Sequence, residues 1–123
     1  MAASKLKHCM NADVGIPFDV TFILGQGEDI ENVDAHKLVL ALSSSVLRAQ
    51  FFGRARDERS QVKIPDSSPA AFKLMMQFIY NPSHRLHTSS IDIYVLCEVY
   101  YLADKYCLLL LKESKSYIYI FLI

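Results

Sequence analysis

The sequence predicts an α+β domain in which a small three-stranded sheet is covered by about five helices. Two observations predict this class: short segments with strand character come mostly before longer segments with helical spacing, and the two kinds do not alternate along the chain. The length of 123 residues is close to the usual size of one domain. With 52% hydrophobic and 21% charged residues, the chain has the composition of a folded globular protein.

Three short segments have strand character. Residues 19–24 (DVTFIL) alternate apolar side chains on one face and are rich in residues that favour strands. Residues 25–32 supply glycines and acidic residues for a reversal, so a second strand from Val33 should run antiparallel to the first. Residues 62–65 (VKIP) predict a third strand that ends at a proline.

Helical spacing begins after the second strand. In the first helix, near residues 35–42, Leu38, Val39 and Leu42 follow the helical period. Leu40 and Ala41 fill much of the remaining circumference, so we expect this helix to be covered nearly all round. Serines 43–45 interrupt it and supply an N-cap for a second helix at residues 46–52.

The later part of the chain predicts three more helices. Residues 66–80 begin with an aspartate and two serines as capping residues, continue with a proline suited to a first turn, and carry an apolar stripe. Residues 91–113 carry enough apolar residues for two helices with a joint near residues 104–106. The charged residues 53–61 are expected to form a solvated loop.

The two ends of the chain are less regular. Residues 1–17 predict a weakly structured arm, because Leu6 and Met10 share a helix face but Gly15 and Pro17 stop a helix. Residues 114–123 (SKSYIYIFLI) form an atypical hydrophobic tail that would favour aggregation if it were an exposed strand. No run of about 18 uncharged apolar residues predicts a membrane span.

Net charge and cysteine content indicate which classes of partner and which cellular compartment to expect. The formal net charge is zero, so no overall field attracts nucleic acid or a membrane surface. Cys97 and Cys107 lie in apolar helical segments, where we expect them on buried faces as small hydrophobes. An odd number of cysteines and the lack of a signal peptide favour a reducing compartment, the cytoplasm or the nucleus.

His36 and the serines at 43–45 are the sharpest candidates for catalysis. Residues seven apart in a helix are separated by about 10 Å along its axis, too far for a histidine to activate a serine. The serines also lack the glycine-flanked turn of a nucleophile elbow. We therefore expect His36 to be structural, bonded where a strand meets a helix, and we expect no enzyme activity.

No cofactor or metal is predicted. His84 and His87 form a weak metal pair that Cys97 or Cys107 would have to complete, and no paired cysteine motif is present. The glycines of residues 25–27 suit a hairpin turn better than a nucleotide site. What remains is a set of methionines and tyrosines on predicted helices, most of them expected in the core, whose residue types favour protein binding: Met75, Met76, Tyr80, Tyr94, Tyr100, Tyr101 and Tyr106.

These segments in this order resemble the BTB/POZ domain. The resemblance runs through DVTFILG, VDAHKLVLALSSSVLRAQFFG, VKIPD, SPAAFKLMMQFIYN and YVLCEVYYLADKYCLLLLKE, and covers residues 18–113. It is strongest to BTB adaptors of cullin-RING ubiquitin ligases. The resemblance implies a three-stranded sheet capped by five helices, dimerisation with the same or another BTB protein, and docking of a cullin scaffold. It also implies that His36 is structural.

The resemblance suggests two sets of contact residues. For a cullin-type partner they are Phe52, Phe72, Leu74, Tyr80 and Tyr106, and for a dimer contact they are Leu6, Met10, Val46, Leu47 and Phe51. Cullin-binding members often carry a hydrophobic-x-Glu motif, which is matched here by residues 72–74 with leucine in place of glutamate. Many members also have a longer N-terminal helix than residues 1–17 predict, and we expect no substrate-binding module in this chain.

The alternative is the dimerisation domain of a transcriptional regulator. Repressor members of the family often have an aspartate near the end of the first strand and an arginine after the histidine. The aligned residues here are Gly25 and Lys37. Because lysine lacks the planar fork of arginine, a corepressor pocket of that kind is not expected.

Overall fold

A computed structural model describes residues 15–81 and 92–108. Along these ranges lie β1 (Val20–Leu24), a 3-10 helix (Gly27–Asp29), β2 (Glu31–Ala35), α1 (Lys37–Ser43), α2 (Ser45–Phe52), β3 (Gln61–Ile64), α3 (Pro69–Tyr80) and α4 (Ile93–Lys105). The predicted α+β class is confirmed, with a three-stranded sheet and four α-helices in the described part. Several predictions fall outside the described residues: Leu6, Met10, His84, His87, the last predicted helix and the tail 114–123.

β1 is the central strand of the sheet, whose order is β2-β1-β3. The predicted antiparallel hairpin is confirmed, with Phe22 opposite Val33, while β3 runs parallel to β1 with Val62 beside Phe22. Gly25 begins the turn with a φ of +83°, and a Cβ there would lie 2.9 Å from the carbonyl oxygen of Asp29. The turn therefore requires glycine at this position.

Side-chain caps begin three of the helices. The Oγ of Ser44 accepts a hydrogen bond from the backbone N–H of Leu47, so the middle one of the three serines caps α2. Ser68 caps α3 in the same way, with proline in the first turn. The carboxylate of Asp92 caps α4. Local sequence therefore fixes where these helices start.

The core lies between the sheet and the helices, with α3 at its centre. The ring of Phe22 on β1 lies 5.0 Å from that of Phe72 on α3 and 6.3 Å from that of Phe51 on α2, measured between centroids. The other large side chains that are almost completely buried are Val20, Leu24, Leu40, Leu47, Met75, Ile79, Tyr80, Leu96 and Leu102.

Two expectations about burial were wrong. α1 is not covered all round: Val39, Leu40 and Ala41 are buried, but Leu38 and Leu42 are 63% and 71% exposed. Cys97 and Cys107 are exposed rather than buried. The expectation that most of the methionines and tyrosines named above lie in the core is confirmed, with Tyr94 and Tyr101 exposed on the outer face of α4. Helical spacing alone did not show which face the core would cover.

Candidate interaction surface

Three apolar side chains form an exposed face where α1 meets α2. Leu38 and Leu42 lie four residues apart on α1, so they project from the same side of the helix. Val46, in the first turn of α2, is 37% exposed. We call Leu38, Leu42 and Val46 the α1–α2 face. Large apolar side chains exposed near one another on a surface are typical of contact sites for other proteins.

The start of α1 is held by the segment before β1. A carboxylate oxygen of Asp19 accepts a hydrogen bond of 2.8 Å from the backbone N–H of Lys37, and the backbone N–H of Asp19 donates to the carbonyl of Ala35 at 3.1 Å. The side chain of His36, the N-cap residue, makes no capping hydrogen bond. Asp19 caps α1 in its place. These bonds fix the direction of α1, and with it the side on which Leu38 is exposed.

His36 is buried at the junction of β2 and α1. Its backbone N–H donates to the hydroxyl oxygen of Tyr80 at 2.9 Å, its Nδ1 lies 2.7 Å from the same oxygen, and its Nε2 lies 3.1 Å from the carbonyl oxygen of Ile16. Because a carbonyl only accepts, the neutral ring carries its proton on Nε2 and accepts the Tyr80 hydroxyl at Nδ1. The imidazole therefore joins β2, α3 and the chain before β1.

The serines near His36 bond to backbone atoms. The Oγ of Ser43 donates to the carbonyl of Val39 at 3.3 Å. The Oγ of Ser44 donates to the carbonyl of Tyr106 at 2.5 Å while it accepts from the N–H of Leu47. These bonds are those of hydroxyl groups that stabilise helix ends and chain crossings.

The residues predicted to contact a cullin-type partner do not form one surface. Phe52, the last residue of α2, is 51% exposed, and Leu74 is half-buried against the core. The others, Phe72, Tyr80 and Tyr106, are buried in this chain's own core. The ring of Phe72 packs edge-on against that of Tyr106 at 6.5 Å.

The residues predicted for the dimer contact are also partly exposed and partly buried. Val46 belongs to the α1–α2 face, whereas Leu47 and Phe51 are 2% and 3% exposed. The ammonium of Lys37 lies 5.2 Å from the centre of the Phe51 ring. Leu38 and Leu42, which sequence reasoning assigned to the core, are the most exposed members of the face. Their four-residue spacing was the available signal, but it did not show the direction in which they point.

Comparison with known proteins assigns the family. The family model of the BTB/POZ domain matches residues 9–117 of this chain. The chain belongs to the BTB/POZ family. BTB/POZ domains are protein–protein interaction domains that commonly dimerise with other BTB proteins.

Two relatives with similar sequences agree with this assignment. The chain is 40% identical over 62 residues to human BTB/POZ domain-containing protein 3, which is 50% of this chain and 12% of that protein. It is 37% identical over 73 residues to BTB/POZ domain-containing protein 6 of Xenopus laevis, which is 59% of this chain and 14% of that protein. The matched segments thus span only about an eighth of these relatives.

The fold is similar to that of the BTB domain of zebrafish PATZ1. The TM-score is 0.69 at 20% identity, over 94% of this chain and 89% of that one. A likeness at this identity establishes the shared fold.

The BTB domain has a second exposed face, on α4. Tyr94 and Tyr101 are 82% and 60% exposed, and Cys97 is exposed between them. Spacings of three and four residues place these side chains on one side of the helix. Tyrosine is enriched at protein interfaces because it combines a large apolar ring with a polar end.

Several charged residues lie together in residues 53–60, the loop before β3. In the loop before β3, hydrogen bonds from the side chain and the backbone of Arg59 hold the pKa of the Asp57 carboxyl well below its usual range. Burial raises the pKa of the Tyr106 phenol, and the negative charge of Asp66 raises it further. Among residues 15–81 and 92–108, no three metal-binding side chains come together, and no helix is long and apolar enough to cross a membrane.

Proposed function

We propose that this BTB/POZ domain self-associates through the α1–α2 face and docks a cullin-type ubiquitin-ligase scaffold as part of a substrate adaptor. The observation that carries the proposal is the exposure of Leu38 and Leu42 on a helix whose other apolar residues are buried. Removing such side chains from water contributes about 25 cal/mol for each Å² of apolar surface. A second BTB domain, identical or related, presents the matching apolar face.

Scaffold docking is supported by Phe52 and by the resemblance to cullin adaptors. Phe52 ends α2 as an exposed aromatic side chain, beyond the α1–α2 face. In the segment matched to the hydrophobic-x-Glu motif, Phe72 is buried, Lys73 forms an ion pair with Glu31, and Leu74 is half-buried. Docking would therefore depend on Phe52 more than on residues 72–74. The adaptor would act in the cytoplasm or the nucleus.

The alternative, a dimerisation domain of a transcriptional regulator, uses the same α1–α2 face. Two residues weigh against it. Lys37 directs its ammonium over the Phe51 ring, and Gly25 occupies a turn that a side chain would obstruct. Gly25 lacks the carboxylate, and Lys37 lacks the planar guanidinium, that the resemblance associates with a corepressor pocket.

Sedimentation equilibrium tests the self-association. We expect dimers at tens of micromolar, and we expect Leu42→Asp to prevent them because a charge at the centre of the contact would lose its water. The matched control is Ile30→Asp, since Ile30 is 50% exposed but lies in the β1–β2 turn. Dimers that persist in Leu42→Asp would refute the proposed contact.

Capture of a cullin N-terminal domain tests the docking. We expect Phe52→Asp to reduce capture at least tenfold while the dimer remains intact, and we expect Ile30→Asp to change neither. Phe52 and Ile30 are almost equally exposed, at 51% and 50%. A difference in capture between the two variants therefore depends on where the aspartate lies on the domain. A wild-type chain that dimerises but captures no cullin domain would leave the self-association in place and rule out the scaffold role.

A further inference from the structure

The strongest apolar run outside the described residues is the segment 117–123, with the sequence YIYIFLI. It contains no charged residue, and its side chains are all aromatic or branched aliphatic. We call it the tail segment. A segment of this composition is unfavourable in water and requires an apolar surface to cover it.

The end of α4 determines where the chain leaves the described domain. Cys107 has a φ of +53°, the N–H of Cys107 donates to the carbonyl of Asp104, and the N–H of Leu108 donates to the carbonyl of Ala103 at 2.9 Å. These bonds form a Schellman motif, which ends a helix and turns the chain away from the helix axis. Leu108 is 3% exposed, so the turn is packed into the core.

A second contact places this turn beside the α1–α2 face. The Oγ of Ser44 donates a hydrogen bond of 2.5 Å to the carbonyl of Tyr106. Ser44 is the residue between α1 and α2, two positions from Leu42 and two from Val46. The chain after Leu108 therefore starts close to the exposed apolar side chains of this face.

The intervening chain is long enough to reach the face. Residues 109–116 separate Leu108 from the tail segment. These eight residues span about 12 Å as a helix or up to about 28 Å when extended. The seven residues of α1 extend about 10 Å along the helix axis. An extended linker of this length is long enough for the tail segment to reach α1 from the turn that Ser44 bonds.

We propose that the tail segment covers the α1–α2 face of its own chain and competes there with a second BTB domain. The proposal rests on the proposed function, because it gives the self-association face an internal competitor. A segment tethered by a short linker acts at an effective concentration in the millimolar range. It therefore weakens the binding of a second copy present at micromolar concentration, even when its intrinsic affinity is lower, and raises the dissociation constant of the dimer. Self-association is then released when the tail segment is removed or bound elsewhere.

Thiol labelling of a Leu42→Cys variant tests the cover directly. Cysteine is a small hydrophobe, so this substitution keeps the face apolar. The labelling rate is measured by peptide mass spectrometry, at concentrations where light scattering shows monomers, in the full chain and in a chain that stops after Ser116. The exposed Cys97 on α4 serves as the internal reference.

We expect truncation to raise the labelling rate at residue 42 at least tenfold and to leave the rate at Cys97 unchanged. An unchanged rate at residue 42 overturns the proposal. A higher rate at Cys97 instead would show that the tail segment lies on α4, and protection that appears only as dimers form would show that it acts between chains. Both results also overturn the proposal. The full-length variant Ile118→Asp/Ile120→Asp repeats the test without shortening the chain.

Sedimentation equilibrium then separates this proposal from the proposed function. We expect truncation to lower the dissociation constant of the dimer at least tenfold, and Leu42→Asp to abolish dimers in both the full and the shortened chain. If truncation has no effect while Leu42→Asp still abolishes dimers, the tail proposal fails and the function stands. If Leu42→Asp leaves dimers intact in both chains, the proposed function fails, and the labelling result alone decides whether the tail segment covers the face.

Discussion

The hydroxyl oxygen of Tyr80 lies 2.7 Å from Nδ1 of His36 and accepts a hydrogen bond from the backbone N–H of the same residue at 2.9 Å. One phenol thus satisfies two polar groups at the start of α1 from the last residue of α3, 44 positions away. Both residues are buried, so water cannot replace the hydroxyl without opening the core. His36 therefore has the environment of a structural residue.

Tyr80→Phe should lower the free energy of unfolding by about 1–3 kcal/mol, because it leaves buried polar atoms of His36 without partners. His36→Ala should have a similar cost, since it removes the ring but leaves the Tyr80 hydroxyl in the core. Urea denaturation measures both changes. Tyr94→Phe, at an exposed tyrosine, should remain within about 0.5 kcal/mol of the wild type. A His36→Ala chain as stable as the wild type would contradict the structural role.

Ser44→Ala should destabilise the domain by about 1–3 kcal/mol. The substitution removes the cap of α2 and leaves the buried carbonyl of Tyr106 without its side-chain donor. The neighbouring Ser45→Ala provides the control, because Ser45 is exposed and lies inside the first turn. Thermal melts should separate the two variants clearly. Equal melting temperatures for both would show that the Ser44 bonds contribute little.

Cys107→Gly should raise the free energy of unfolding by about 0.5–1 kcal/mol. A side chain in the left-handed region costs about 1–2 kcal/mol, and this gain exceeds the about 0.4–1 kcal/mol lost because glycine makes the unfolded chain more flexible. Cys97→Gly is the matched change inside α4 and should instead cost about 0.3–1 kcal/mol. Chemical denaturation measures both. Changes of the same sign would refute the account of the Schellman turn.

Stability should fall as the pH rises above about 10. Burial raises the pKa of Tyr106 above that of the unfolded chain, so between the two pKa values the folded state binds more protons. Stability from this group is complete below the unfolded pKa and is lost as the pH rises toward the folded one. Urea midpoints at several pH values should show a smaller decline for Tyr106→Phe than for the wild type. Tyr94→Phe, at an exposed phenol, should leave the decline unchanged.

The sequence predicted the strands and helices well because the patterns that mark them lie within a few neighbouring residues. The alternation of residues 19–24, the capping serines, and Pro69 in the first turn of α3 are visible without knowledge of the rest of the chain. The antiparallel hairpin followed in the same way, because glycine at position 25 permits the left-handed turn. The segment order also revealed the family resemblance.

The exposed face could not be predicted in this way. α1 carries apolar residues around most of its circumference, so its sequence is compatible with several orientations against the core. Packing selected Leu40 for the interior and left Leu42 exposed. For α4, the same uncertainty placed Cys97 on a buried face in the prediction, although it is exposed.

The sequence by itself determined the α+β class, the order of the strands and helices, and most of their ends, because hydrophobic period, caps and turn residues act over a few positions. Only the tertiary structure decided that Tyr80 bonds His36, that Ser44 bonds Tyr106, and that Leu38 and Leu42 face outward. Each of these depends on where separate elements meet across the core. That arrangement is set by the packing of all of them together, which the spacing along one helix does not encode.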